Sequence, residues 1–299
     1  MKLITVLLGV MIFSVSAKMP GFDIYVGDLV LQENRLAVSH LKALTNRIDY
    51  DNQPLFLADG NSLLYTAALS DKQIEQTDSM FVSLATGQVT NLTNSLESEY
   101  SPTVMPNGHS FSVIRATDNE QKLWRYPLYP NQQSAESASE LLTHINPVGY
   151  HAWVDKRRVI LFVLGEPHTL QLADIQTQTS QVLDHNIGPS LFSIPHTPLM
   201  SYTASIGEGD DIQWLLKSYH SQTGKIEVLT TLPKGAYYYA WAGNGYAIAA
   251  VGSILMQWDL ANSEKGWQPF ADVSTTCPKG VTRLSSNSQN SKIALVCSL

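Results

Sequence analysis

Residues Tyr100–Leu128 read YSPTVMPNGHSFSVIRATDNEQKLWRYPL, and this stretch decides the fold class of the chain. It has the order strand, Pro-Asn-Gly turn, strand, polar loop and third strand, with Trp124 in the last. Asn107-Gly108 favours a tight hairpin turn, because both residues accept positive φ at low cost. The stretch therefore predicts three consecutive antiparallel strands.

Weaker copies of this unit recur along the whole chain. Pro102 to Gly108 matches Pro54 to Gly60 with the same spacing, and Tyr239 to Gly245 keeps the spacing and the Asn-Gly pair. More degenerate copies begin at His151, Leu191 and Thr282. A repeat of roughly 40–50 residues is typical of a four-stranded propeller blade and too long for a leucine-rich repeat.

The two ends of the chain complement each other. Residues 22–45 contain an outer pair of strands without an inner pair, and residues 281–297 contain an inner pair without an outer pair. Joining the two halves makes one complete blade and closes the ring. The sequence thus predicts an all-β, six-bladed β-propeller of four-stranded blades, closed by two N-terminal and two C-terminal strands.

The Pro-x3-Pro/Ala-Asn/Asp-Gly turn, the apolar strand after it and the later Leu-Trp or Phe-Val strand resemble the TolB-type β-propeller repeat. The resemblance covers roughly residues 22–299. It implies a six-bladed propeller in the bacterial periplasm or exported further. The chain lacks the separate N-terminal domain of TolB and the hydrolase domain of related propeller peptidases, so neither function carries over.

The N-terminus has the pattern of a secretory signal. Lys2 precedes an apolar run from Leu3 to Val15, and Val15-Ser16-Ala17 fits a small-residue cleavage site. The run is shorter than the roughly 20 residues that a membrane span needs. We expect residues 1–17 to be a cleaved signal peptide and residues 18–299 to be a single propeller domain, periplasmic or secreted, without a membrane span after cleavage.

Export gives the two cysteines a meaning. In an oxidising compartment an isolated pair is more often a disulfide than a reactive thiol or a metal site. Cys277 precedes the first strand of the last hairpin and Cys297 ends its second strand, which places both at one edge of the hairpin. The sequence predicts a Cys277–Cys297 disulfide at the point of ring closure.

Composition and motifs argue against several classes of function. The net charge is −7 and basic residues form no cluster beyond Lys156-Arg157-Arg158, which argues against nucleic-acid binding. There is no Gly-x-Ser-x-Gly elbow, no Walker loop and no dinucleotide motif. The eight histidines are spread without ligand spacing. We expect no catalytic residues, no metal and no cofactor.

One weak signal concerns the segments that join blades and those that join second to third strands, which lie on one face of a propeller. They are rich in acidic residues and have few basic ones, chiefly Arg47, Lys72 and Lys122. Such a face would attract a cation or a basic partner, although polar loops in an acidic protein are the simpler explanation of the pattern. The candidate binding residues are Asp49, Asp51, Glu97, Glu99, Asp118, Glu120, Asp210, Asp211, Tyr237 and Tyr238, with Glu166 and Glu208 in the same set of loops.

Aromatic residues offer two further interpretations. Trp153 and Trp241 occupy equivalent repeat positions, which favours packing between blades over ligand stacking. Part of Tyr237-Tyr238-Tyr239 could face the channel mouth, with core packing as the alternative.

The sequence favours a non-enzymatic, exported propeller that serves as a protein-interaction or ligand-binding module of the bacterial envelope. Its expected partner is an envelope or periplasmic protein, or a small ligand at the channel mouth, and we expect a monomer. The alternative is a propeller enzyme, a lyase or hydrolase with its site at the channel mouth, which rests on analogy of fold alone.

Overall fold

The computed structural model describes residues 19–69, 76–129 and 137–299, without the side chain of Asp210. The predicted signal peptide at residues 1–17 and the base Lys72 lie outside the described residues.

The described strands form six antiparallel sheets of four strands each. Blade 1 contains β3 (Asp51–Phe56), β4 (Ser62–Ala68), β5 (Thr77–Ser83) and β6 (Val89–Asn91). Blade 2 contains β7 (Ser98–Val104), β8 (Ser110–Ala116), β9 (Gln121–Pro127) and β10 (Ser139–Glu140). Blade 3 contains β11 (Val148–Trp153), β12 (Arg158–Val163), β13 (Thr169–Asp174) and β14 (Thr179–His185).

The second half of the ring repeats this order. Blade 4 contains β15 (Ile187–Ser193), β16 (Leu199–Ile206), β17 (Gln213–His220) and β18 (Ile226–Thr231). Blade 5 contains β19 (Tyr239–Trp241), β20 (Tyr246–Val251), β21 (Ile254–Asp259) and β22 (Gln268–Asp272). Short 3₁₀ turns span Gly209–Asp211 and Leu260–Lys265.

Blade 6 closes the ring from both ends of the chain. Its inner strands are β23 (Val281–Ser286) and β24 (Lys292–Ser298), and its outer strands are β1 (Phe22–Gln32) and β2 (Arg35–Ala43). The sheet order is β2-β1-β24-β23, with β1 antiparallel to β24. The predicted six-bladed propeller and its closure by two strands from each end are confirmed.

The hairpin turns show why the repeat motif is Asn/Asp-Gly. Asn107 Oδ1 accepts hydrogen bonds from the backbone N–H of His109 at 2.9 Å and of Ser110 at 3.0 Å. Asp59 Oδ1 does the same for residues 61 and 62, both at 2.9 Å. Gly108 follows with φ +73°, a conformation that is costly for any residue with a Cβ atom.

The hydrophobic core lies between blades. Each cluster of buried apolar residues joins two neighbouring blades, as in the set that packs Leu64 of blade 1 against Phe111 of blade 2. Second strands are covered on both faces, and every residue of β4 is buried. This double coverage explains why these strands are continuously apolar rather than alternating.

Two tryptophans at equivalent positions connect neighbouring blades through a serine. Trp153 Nε1 donates to Ser112 Oγ at 2.9 Å, and Trp241 Nε1 donates to Ser201 Oγ at 2.8 Å. Both indoles are at most 8% exposed. The expectation that these tryptophans pack between blades is confirmed.

The predicted disulfide is present. Cys277 and Cys297 are bonded, with 5.1 Å between their Cα atoms, and both are buried. Cys297 lies in β24, whose neighbour is the N-terminal strand β1. The bond therefore fastens the loop that leaves blade 5 to the sheet that closes the ring.

No helix in the described part of the chain is long and apolar enough to span a membrane.

Candidate functional site

The chain direction defines two faces of the ring. Segments that join second to third strands and segments that join one blade to the next lie together, because both follow strands that run the same way. We call this the upper face, and the face with the Asn/Asp-Gly turns the lower face. Inner strands run from the upper to the lower face along the central channel.

The pairing register identifies one equivalent channel position in each inner strand or, for Tyr238, immediately before it. The second residue of each second strand pairs with one residue of the inner strand, as Val159 pairs with Trp153 and Ile293 with Ser286. The channel position lies three residues before that inner-strand residue. All six of these residues line one central cavity: Gln53, Ser101, Tyr150, Ser190, Tyr238 and Arg283. The ring thus presents five uncharged polar side chains and one cation.

Arg283 is the only charged residue in that ring of six. Its Nη2 donates hydrogen bonds to Tyr150 Oη at 2.6 Å and to Tyr238 Oη at 3.0 Å. The guanidinium carbon lies 3.9 Å from the ring centroid of Tyr238 and 5.1 Å from that of Tyr150. These distances are typical of cation–π contacts, so two tyrosines hold the guanidinium by ring face and by hydroxyl.

Arg283 has no carboxylate partner among the described residues, and its Nε and Nη1 form no hydrogen bond with them. Burial acts to lower the pKa of Arg283, but the surrounding tyrosines outweigh it and the pKa is raised. The cation is therefore permanent. A half-buried charge without an opposite charge is costly to maintain, which distinguishes Arg283 from the other arginines near this face.

One further tyrosine, Tyr50, lies near Arg283. Tyr50 lies at the end of the segment that joins blade 6 to blade 1. Burial raises the pKa of Tyr50, although the nearby Arg283 cation acts to lower it. Burial likewise raises the pKa of Tyr238. Both hydroxyls stay protonated at neutral pH and can donate hydrogen bonds.

The cavity around Arg283 has a volume of about 100 Å³ and opens along the channel. A water molecule needs roughly 10–15 Å³ of such space, so the cavity holds several waters or one small polar group. Below it, a wider opening of about 430 Å³ at the lower face is lined by Leu55, Phe192 and Trp241. The polar and narrow part of the channel is on the upper side.

Several of the predicted acidic residues are buried, and the carboxylates of two of them already accept hydrogen bonds from neighbouring side chains. Asp51 is 0% exposed and accepts two hydrogen bonds from Arg47, through Nε at 2.9 Å and through Nη2. Glu99 is also 0% exposed and accepts from Ser95 Oγ at 2.6 Å and Tyr126 Oη at 3.0 Å. Burial raises the pKa of Glu99 to about 7. Asp49 is buried as well.

The other predicted acidic residues lie toward the rim. Glu97 is half-buried and forms an ion pair with Arg115. Glu120 is exposed and lies 2.9 Å from Lys122 Nζ, while Asp118 is exposed. The structure therefore spreads these carboxylates between the blade interiors and the periphery and gathers none of them around the channel axis, where Arg283 lies.

Tyr237 and Tyr238 connect the rim to the channel. Tyr238 lines the central cavity, and Tyr237, 41% exposed, packs edge-on against it at 4.8 Å and against Trp214 at 4.9 Å. Trp214 lines a second cavity of about 210 Å³ together with the exposed Asp211. Asp210, next to Asp211, has no described side chain. Tyr239, the third of the run, is buried in the core.

A serine and a histidine also meet near the channel. Ser112 Oγ lies 2.7 Å from His151 Nε2, and burial lowers the pKa of His151 to about 3. Ser201 receives Tyr239 Oη at 2.8 Å in the same way two blades later. Because a tyrosine replaces the histidine at the equivalent position, the pair is part of the packing between blades rather than a nucleophile with its base.

The described residues contain no group of three or more His, Cys, Asp or Glu side chains arranged to hold a metal ion.

Sequence reasoning missed Arg283. The repeat copy that begins at Thr282 has extra residues before its second strand, and the register shows that Ser286 is the residue equivalent to Trp153, which makes Arg283 equivalent to Tyr150. The sequence contained one signal that could have identified it: Arg283 is the single charged residue of the inner strand VTRLSS.

Comparison with known proteins supports the fold. No family model matches the sequence, and no curated protein matches it. Among solved structures, one assigned to TolB of Agrobacterium tumefaciens superposes with a TM-score of 0.69 over 94% of this chain and 99% of that chain, at 11% identity. TolB from Acinetobacter baumannii gives 0.57 over 92% of this chain and 63% of that chain, at 12% identity.

An oligogalacturonate lyase in complex with manganese is also similar. It gives a TM-score of 0.55 over 91% of this chain and 78% of that chain, at 13% identity. The chain therefore has the six-bladed fold of TolB-type propellers. At these identities the likeness extends to the fold alone, and both binding proteins and enzymes use it.

Proposed function

We propose that the protein is an exported, non-enzymatic binding module whose contact point is the upper mouth of the central channel. The observation that carries this proposal is the set of tyrosines around an open cavity, with Tyr237 on the rim and Tyr238 in the channel. Tyrosine gives a large contact area with little conformational entropy to lose, and its hydroxyl is available for hydrogen bonds.

Similarity in fold to TolB structures supports a role in protein interaction. Export is proposed from the N-terminal pattern of Lys2 to Ala17, and the buried Cys277–Cys297 disulfide is consistent with an oxidising compartment. The partner we propose is an envelope or periplasmic protein that presents a narrow segment to the channel mouth, since the cavity admits only a small group.

Site-specific photocrosslinking in living cells tests this function. A photoreactive phenylalanine analogue at Tyr237 should give a discrete adduct, because this side chain is exposed beside the channel. The matched control carries the analogue at His109, whose side chain is exposed on a lower-face turn. Equal adducts at both positions, or none at Tyr237, would contradict the proposal. Fractionation of the same cells tests export, and recovery of the protein with the cytosolic fraction would contradict that part.

A further inference from the structure

We propose that Arg283, Tyr150 and Tyr238 form a binding site for a single carboxylate group that enters the channel from the upper face. This inference rests on the proposed binding function and specifies the chemistry of the ligand. The carboxylate is carried either by a peptide segment of the partner or by a free small carboxylic acid.

The first step is the unmatched charge. Arg283 is permanently ionised, lies in a cavity lined by uncharged polar and apolar side chains, and has no carboxylate partner among the described residues. Nearby arginines of the same face differ: Arg47 is paired with Asp51 and Arg115 with Glu97. An anion in the cavity would supply the opposite charge that the fold does not supply.

The second step concerns the remaining donors. Only Nη2 of Arg283 is used in hydrogen bonds, which leaves Nε and Nη1. Tyr150 and Tyr238 accept from Nη2 through their hydroxyl oxygens and lie close enough to hydrogen-bond each other, so that one O–H hydrogen of the pair can donate to another group. Guanidinium and hydroxyl donors that converge on one space suit a planar carboxylate, and charge-assisted bonds of this kind are among the strongest in proteins.

The third step is the charge and size of the anion. One guanidinium balances one negative charge. A phosphate monoester carries roughly −1.5 to −2 at neutral pH, which a single guanidinium does not balance. The cavity of about 100 Å³ accommodates a carboxymethyl-sized group but not a folded domain. A monoanionic carboxylate at the tip of a ligand meets both conditions.

The fourth step explains the tyrosines. Stacking on Tyr238 at 3.9 Å holds the guanidinium in one orientation before the ligand arrives. A site held in this way loses less side-chain entropy on binding. The two tyrosines therefore position the cation as well as contribute a hydroxyl donor.

Titration of the purified chain with acetate tests the site. In protein with isotope-labelled tyrosines, acetate should shift the signals of Tyr150 and Tyr238 with saturation, while acetamide, which has the same shape without charge, should not. Arg283→Gln should weaken acetate binding by about tenfold or more, since a charged hydrogen-bond partner is lost. Arg157→Gln makes the same change of charge on a lower-face turn and should leave binding unaltered.

Two further variants keep the test valid if Arg283→Gln does not fold. Arg283→Lys retains the charge without the planar fork and should bind acetate more weakly but measurably. Tyr238→Phe retains the ring without the hydroxyl and should also weaken binding. Acetamide shifts equal to those of acetate, unchanged acetate binding in both variants, or tighter binding of phosphate than of acetate would each overturn the inference.

A triglycine peptide with a free C-terminus, compared with its C-terminal amide, separates the two sources of carboxylate. Binding of the free acid about tenfold tighter than acetate assigns the site to peptide segments, and equal binding assigns it to free small acids. Acetate binding with no crosslink at Tyr237 would leave the carboxylate site standing and refute the protein-interaction function. A crosslink at Tyr237 without acetate binding would do the reverse.

Discussion

Ser201 Oγ in blade 4 lies 2.8 Å from Trp241 Nε1 in blade 5, and the same hydroxyl receives Tyr239 Oη at 2.8 Å. One small buried hydroxyl thus satisfies two large aromatic side chains of the next blade. Ser112 has the equivalent role for Trp153 and His151. Buried hydrogen bonds of this kind fix the rotation of one blade relative to the next. Apolar packing alone defines that rotation less strictly.

Ser201→Ala should destabilise the protein by about 2 kcal/mol, because it leaves a buried N–H and a buried O–H without their common partner. Chemical denaturation monitored by tryptophan fluorescence measures this loss. Ser180→Ala, at an exposed position of β14, is the matched control and should change stability by less than about 0.5 kcal/mol. Equal effects of the two substitutions would show that the hydroxyl bridge contributes nothing.

The disulfide should stabilise the closed ring. Cys277 and Cys297 are separated by 20 residues, and a loop of this length is worth about 3 kcal/mol in the chain-entropy model. The double variant Cys277→Ala with Cys297→Ala should therefore unfold at a lower denaturant concentration than the oxidised protein. Thiol titration of exported, denatured and unreduced protein should find no free thiol; two titratable thiols would refute the bond.

Glu99 should make stability depend on pH. Its folded pKa of about 7 lies above the ordinary value of 4.5 because the carboxyl is buried. Protonation therefore favours the folded state: the contribution is complete below about pH 4.5 and is lost as the pH rises through 7. Glu99→Gln should remove this decline, so that at about pH 8 the variant is more stable than the parent chain by on the order of 2 kcal/mol.

Glu97→Gln, two residues earlier in the chain, should change the stability with the opposite dependence on pH. The hydrogen bond from Arg115 holds the pKa of Glu97 below its ordinary value, so its contribution is present at neutral pH and lost on acidification. The variant should be less stable than the parent chain at neutral pH, with the difference vanishing toward acid. Melting curves across the pH range distinguish the two residues, and parallel curves for both variants would contradict this account.

The acidic residues of the upper rim should contribute long-range electrostatic attraction to the partner and should not bind the carboxylate in the channel. Asp211 is exposed in the cavity that Trp214 lines, Trp214 packs against Tyr237, and Asp210 is the neighbour of Asp211 in the chain. Asp210→Asn with Asp211→Asn should weaken binding of the crosslinked partner and flatten its dependence on salt, as the loss of surface charges near a binding face predicts. Glu264→Gln, exposed on a lower-face turn, should leave both unchanged. An unaltered salt dependence in the double variant would remove the acidic rim from the interaction.

The repeat spacing predicted the blades because blade formation is local. An Asn/Asp-Gly turn and an apolar strand can be recognised within about fifteen residues, and complementary half-blades at the two ends leave one way to close the ring. The positions of Cys277 and Cys297 follow from the same hairpin, so the disulfide was also predictable.

The binding face was predictable only in part. The sequence indicated Tyr237 and Tyr238, since they immediately precede an inner strand. It could not separate Glu99, which is buried against Tyr126, from Glu120, which is exposed on the rim, because both are acidic residues in similar loops. Burial depends on which side of a twisted strand faces the neighbouring blade, and a single residue of register reverses it.

The sequence by itself determined the number of blades, their order and the closure of the ring, because each is written in turns and apolar strands of neighbouring residues. Only the tertiary structure decided what lies at the centre. Tyr150 and Arg283 are 133 residues apart in the chain and meet at 2.6 Å because six inner strands converge on one axis. The ring closure that the ends of the chain encode is what places a lone cation among tyrosines at the channel mouth.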